Sequence, residues 1–173
     1  MADKMPNQTA TILGIAGPSG SGKTTLIERI IPLLMKEGVR VSTLKHVHHD
    51  LDLDKPGKDS FRHRQAGAEQ VMVALPSGWA LFNPDTANST YMIPDLAEKM
   101  DSVDLILVEG YRSLPINKIE VFNSSLGQPL NQPHHSSVIA VAGDIKLENL
   151  GVPTFIRDDI RKIVAFIINH CNS

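Results

Sequence analysis

Apolar positions along the chain fall into short continuous runs and helical stripes, separated by polar joints rich in Gly and Pro, and their order predicts alternating strands and helices. Residues 11–16 form an apolar run that ends in a Gly/Ser-rich turn, after which Leu26, Ile27, Ile30, Leu33 and Leu34 recur at helical spacing. This reads as strand, loop, helix. Pro32 removes one backbone donor inside the stripe, and Gly38 stands where a helix C-cap belongs, so the helix ends near Glu37. Residues 39–46 are β-branched and alternating, a second strand, and residues 58–68 carry helix-compatible side chains as far as Gly67.

Two strand-like runs, 70–75 and 78–82, are joined by Pro76-Ser77, a spacing that predicts an antiparallel hairpin at a sheet edge. Residues 83–90 have turn composition, and 94–100 read as a short helix. The apolar run 103–108 suits a strand buried on both faces of a parallel sheet. Residues 118–122 alternate like a strand, 124–137 read as a long surface loop, and 138–142 as another buried strand. Thr154-Phe155-Ile156 then precedes a closing helix from about Asp158 to His170.

At 173 residues and 42% hydrophobic content the chain can bury one sizeable core, so a single domain over 1–173 is expected, with 70–83 and 118–137 as extension strands and loop. A net charge of -2, from 17 Lys+Arg against 19 Asp+Glu, lacks the basic surplus that nucleic acid or an anionic membrane demands. Cys171 is the only cysteine, which excludes an intrachain disulfide and a Cys-based zinc cage and fits a reducing, cytoplasmic compartment. The polar start lacks the pattern of a secretory signal, and no run approaches the roughly 20 apolar residues of a membrane span. A soluble protein is expected.

Gly17-Pro18-Ser19-Gly20-Ser21-Gly22-Lys23-Thr24 matches the phosphate-loop pattern G-x-x-x-x-G-K-[ST] in full and lies between a predicted strand and a predicted helix. Its glycines let backbone amides turn toward phosphate oxygens, and the helix N-terminus adds partial positive charge. Lys23 is expected to bridge the β- and γ-phosphates, Thr24 to hold Mg²⁺, and Thr25 to extend the nucleotide-binding set. A plain strand-to-helix turn needs neither the Lys nor the Thr. The strand ending at Glu109 brings an acid to the same end of the sheet, making Glu109 a candidate for Mg²⁺ and for catalysis with Lys23; a plain charged strand end is the bland alternative.

Lys45-His46-Val47-His48-His49-Asp50 follows the second strand, with Lys55 and Lys58 close behind. Three functions compete for this loop: an anion or partner site through Lys45, Lys55 and Lys58, Mg²⁺ ligation through Asp50, or a metal site on His46, His48 and His49. A solvated loop is the fourth reading. Asn117-Lys118-Ile119-Glu120 imitates the guanine motif N-K-x-D but runs into a strand instead of following one. Asp144, just beyond a buried strand, is either the acceptor for guanine N1 and N2 or an ordinary helix cap.

The phosphate loop, the run Lys45-His46-Val47-His48-His49-Asp50, the segment Asp54-Lys55-Pro56-Gly57-Lys58-Asp59-Ser60 and the strand ending Glu109-Gly110 together resemble the MobB family of molybdopterin-guanine dinucleotide biosynthesis adaptor proteins. The resemblance implies an α/β P-loop NTPase fold with a mostly parallel sheet flanked by helices. It also implies a weakly hydrolysing GTP-binding homodimer, with GTP and Mg²⁺ as ligands. Its partner would be the nucleotidyltransferase MobA in forming molybdopterin guanine dinucleotide, with molybdopterin itself a further candidate ligand. Two alternatives stay open on the residues alone: a nickel-type metallochaperone GTPase, suggested by the histidines, and a small-molecule kinase, suggested by Gly-Ser-Gly-Lys-Thr-Thr.

Overall fold

In the computed structural model, residues 10–45, 55–83, 92–110, 114–130 and 136–172 are described. The elements run β1 (Thr11–Ala16), α1 (Lys23–Lys36), β2 (Val41–Lys45), α2 (Asp59–Gln65), β3 (Val71–Leu75), β4 (Gly78–Phe82), α3 (Ile93–Ala97), β5 (Leu105–Glu109), β6 (Lys118–Phe122), β7 (Val138–Gly143), β8 (Thr154–Ile156) and α4 (Ile160–Cys171). The chain divides into two compact units, residues 1–46 with 97–173, and residues 47–96.

The larger unit is built on a six-stranded sheet in the order β2-β5-β1-β6-β7-β8, with every neighbouring pair parallel. Parallel neighbours need crossovers, as α1 provides between β1 and β2, and α1 together with the closing helix α4 covers one face of the sheet. Their stripes, Leu26, Ile27, Ile30 and Leu34 on α1 and Ile160, Ile163, Val164 and Ile167 on α4, pack on Leu13, Ile15, Leu105, Leu107, Ile119 and Val121 of the sheet. The helix α1 continues through Pro32 and stops at the cap Glu37, before Gly38 at φ +85°.

Two sequence expectations change here. The strand β6, grouped with an extension over 118–137, lies inside the main sheet between β1 and β7. Lys118 and Glu120 within it are each only 2% exposed. The Lys118 ammonium donates to the Leu114 carbonyl, so a polar side chain is buried with its hydrogen bond supplied. Across from it Gly14 leaves the necessary room, since a Cβ there would sit 2.9 Å from the Lys118 Cβ. The segment 154–156, read only as the lead-in to the last helix, adds a short edge strand to β7.

The unit of residues 47–96 contains α2 and the hairpin β3-β4, whose register runs from Val71↔Phe82 to Leu75↔Gly78. The hairpin is a two-stranded sheet of its own, not the edge of a larger one. The local turn fixes pairing within a hairpin, whereas joining a larger sheet depends on distant strands that short-range pattern does not encode. Arg64 stacks over the rings of Phe61 and Phe82, at 5.5 Å and 5.3 Å. Met72, Trp79 and Leu81 share one face of the hairpin and are 60%, 65% and 44% exposed. Among the described residues, no helix is long and apolar enough to cross a membrane.

Candidate functional site

The loop of residues 17–24 joins the carboxyl end of β1 to the start of α1, at the centre of the sheet where strand order reverses. Such a switch point opens a crevice beyond the strand ends. Gly22, at φ +97° and ψ 20°, is the N-cap of α1 and supplies no capping side chain, so the first-turn amides carry no side-chain partner. Gly17, at φ +142°, is pressed against β6: a Cβ there would lie 2.5 Å from the Val121 carbonyl oxygen. Only glycine fits that turn.

Lys23 folds back over the loop, its ammonium donating to the carbonyls of Gly17 at 3.0 Å and Pro18 at 2.8 Å. Burial pushes the Lys23 pKa down from its ordinary value, Glu109 opposes that shift, and Lys45 adds to it. The Thr24 hydroxyl donates to Glu109 Oε1 at 2.9 Å. Lys45 Nζ lies 3.6 Å from the same oxygen, as the pairing of β2 with β5 sets Lys45 beside Glu109. Loop lysine, helix-start threonine and strand-end acid are thus drawn into one cluster. Its donors, an ammonium and uncapped helix amides, match the chemistry of a polyphosphate, and its hydroxyl and carboxylate oxygens match that of a hard divalent cation.

The other flank of the loop is held by residues that sequence reasoning missed. Arg157, just past β8, donates from Nη1 to the Ser21 carbonyl at 2.7 Å and lies against Gly22, where a Cβ would be 3.0 Å from that nitrogen. Asn123, just past β6, donates to the Gly20 carbonyl at 3.3 Å and caps the short 3-10 turn Ser124–Leu126. The signal for both was their position directly after a strand. The Ser21 hydroxyl is buried without a hydrogen-bond partner among the described residues, while Ser19 is exposed.

Asp144, one residue past β7, accepts from Ser124 N at 2.9 Å and Ser124 Oγ at 2.6 Å. These bonds hold its carboxyl below the usual carboxylate range. It ties the β6 and β7 loops together. A cavity of about 190 Å³ borders Gly20, Gly22, Thr25, Asn123, Arg157 and Asp158 on this flank. Lys55 and Lys58 are exposed in the unit of residues 47–96, with Lys58 as the N-cap of α2. His46, His48, His49 and Asp50 lie outside the described residues.

The family model described as "MobB: Molybdopterin guanine dinucleotide synthesis protein B" matches residues 12–144. The molybdopterin-guanine dinucleotide biosynthesis adapter protein of Escherichia coli K12 is 41% identical over 160 residues, 91% of either chain. The Haemophilus influenzae protein of the same description is 42% identical over 146 residues, 82% of this chain and 79% of that one. A urease accessory protein UreG of Trichodesmium erythraeum is a more distant match, 32% identical over 105 residues and 59% of this chain. Among solved structures, a molybdopterin-guanine biosynthesis protein B superposes with a TM-score of 0.71 at 27% identity, covering 94% of this chain and 99% of that one. Bacillus subtilis MobB gives 0.69 at 26%, covering 92% and 96%.

Proposed function

The chain belongs to the MobB family of molybdopterin-guanine dinucleotide synthesis proteins, and we propose that it binds GTP with Mg²⁺ on residues 17–24 and acts as a nucleotide-dependent adaptor for a MobA-like nucleotidyltransferase. The observation that carries this reading is the convergence of Lys23, Thr24 and Glu109 on one side of the loop. Lys23 would exchange its bonds to the Gly17 and Pro18 carbonyls for phosphate oxygens, and the amides at the start of α1 would bind the same anion. Thr24 and Glu109 would hold Mg²⁺, which when bound supplies charge neutralisation at the β- and γ-phosphates.

Slow hydrolysis fits the same geometry. Glu109 accepts the Thr24 hydroxyl and faces the Lys45 ammonium, so its carboxylate is committed to the loop and to the Mg²⁺ it would hold. A fast hydrolase needs a base set to activate water as well. Lys45, Lys55 and Lys58 are candidates for gripping a second anion, molybdopterin or the partner. The exposed apolar face of Met72, Trp79 and Leu81 supports a homodimer, because monomers seldom leave such a patch uncovered.

Capture of the full chain on an immobilised MobA-like nucleotidyltransferase, with GTP and Mg²⁺, GDP, ATP or no nucleotide, tests partner and ligand together. Retention strongest with GTP and abolished by Lys23→Ala is the expected result. No retention, or retention equal in every nucleotide state, contradicts the adaptor reading.

A further inference from the structure

Resting on the guanine-nucleotide reading above, we infer that Asp158, and not Asp144, reads the base, with Arg29 as its positioning residue. The direction of the nucleotide comes first. Thr24, Glu109 and Lys45, the groups suited to the metal and the terminal phosphate, lie toward β5 and β2. The cavity of about 190 Å³ lies on the opposite flank, beyond the ends of β6 and β8, and Thr25 and Gly20 form its border with the loop. A triphosphate laid along the loop therefore delivers its sugar and base to this cavity.

Three acids follow strands on that flank, and one of them, Asp159, is paired with the Lys162 ammonium. Asp144 has an oxygen engaged by Ser124 N and the other by Ser124 Oγ, and it does not border the cavity. Asp158 does border it, with a side chain 75% exposed. The Arg29 guanidinium binds its Oδ1, and Oδ2 has no hydrogen-bond partner among the described residues. Arg29 thus fixes the carboxylate's rotation at one oxygen while leaving the second to a ligand.

Arg157 and Asn123 anchor the Ser21 and Gly20 carbonyls and border the same cavity. A carboxylate has only acceptors to offer. Guanine presents two adjacent donors, N1–H and the 2-amino group, whereas adenine presents an acceptor at N1 and nothing at C2, so Asp158 favours guanine.

The Asp158→Asn change keeps size and removes charge. The Arg29 donor keeps the amide oxygen on its own side, so the NH₂ takes the place of Oδ2, where it opposes the N1–H and 2-amino donors of guanine and matches the O2 of xanthine. Titration calorimetry of the full chain with GTP, XTP and ATP, for wild type, Asp158→Asn and Asp144→Asn, separates the possibilities. The expected result is a loss of at least about tenfold in GTP affinity and a comparable gain for XTP in Asp158→Asn, with the GTP-to-XTP ratio of Asp144→Asn unchanged. A ratio is insensitive to the fraction of folded protein. Retention of the wild-type ratio by Asp158→Asn, or its inversion by Asp144→Asn instead, overturns the assignment while leaving GTP binding intact. A wild type with no preference for GTP over ATP overturns the guanine reading, and this assignment with it.

Discussion

Glu109 holds the Thr24 hydroxyl at 2.9 Å and faces Lys45, so its charge rather than its bulk is what the loop uses. Glu109→Gln is expected to leave GTP affinity in EDTA within about twofold of wild type and to remove most of the gain that Mg²⁺ confers, since a neutral amide is a weaker ligand for a hard cation. A fluorescent-nucleotide titration with and without Mg²⁺ checks this; a full Mg²⁺ gain in the variant contradicts it. Gly17 makes a different point. At φ +142°, with a virtual Cβ 2.5 Å from the Val121 oxygen and 2.7 Å from Ser21 Oγ, it tolerates no side chain. Gly17→Ala is expected to cost about 1–3 kcal/mol in urea unfolding, from the strained φ together with the backbone clash. At this scale the loop was legible because its chemistry is local, whereas Arg157 and Asp158 reach it only through the fold, from 136 and 129 residues away from their contacts Ser21 and Arg29.

Among the elements, β2 and β5 are tied at their amino ends by Arg40 and Asp104. Arg40 donates from Nη2 to Asp104 Oδ1 at 2.7 Å, and from Nε and its backbone nitrogen to Oδ2 at 3.1 Å and 2.8 Å. This keeps Lys45 beside Glu109 at the far end, because a parallel register set at one end holds along the strand. The Arg40 guanidinium holds the Asp104 carboxyl below its ordinary value of 3.8. The stabilisation is complete above that value and is lost as pH falls through the lowered one. Acid titration of unfolding is expected to be less steep in Asp104→Asn than in wild type below about pH 4; superimposable profiles contradict the assignment. Element types were readable in α1 from its buried stripe at helical spacing, and in β1, β5 and β7 from apolar runs buried over most of their length. At β6 and the hairpin the element types were also readable, and only their placement was not: β6 lies inside the main sheet, and the hairpin forms a sheet of its own.

For the whole molecule, the sequence pattern anticipated a P-loop sheet with flanking helices and a hairpin, and family membership places it in molybdopterin-guanine dinucleotide synthesis. The division into units of 1–46 with 97–173 and of 47–96 was not readable, because it reflects which contacts are dense in space. The chain's small net charge of -2 likewise says nothing of where Lys45 and Lys23 gather beside Glu109. The proposed function rests on residues 17–24 forming a guanine-triphosphate site. Titration calorimetry of the full chain with GTP and with ATP in the presence of Mg²⁺, repeated on Lys23→Ala, tests it most directly. Saturable GTP binding at least about tenfold tighter than ATP, lost in Lys23→Ala, is the expected result. Absence of GTP binding, a preference for ATP, or unchanged affinity in Lys23→Ala would contradict it.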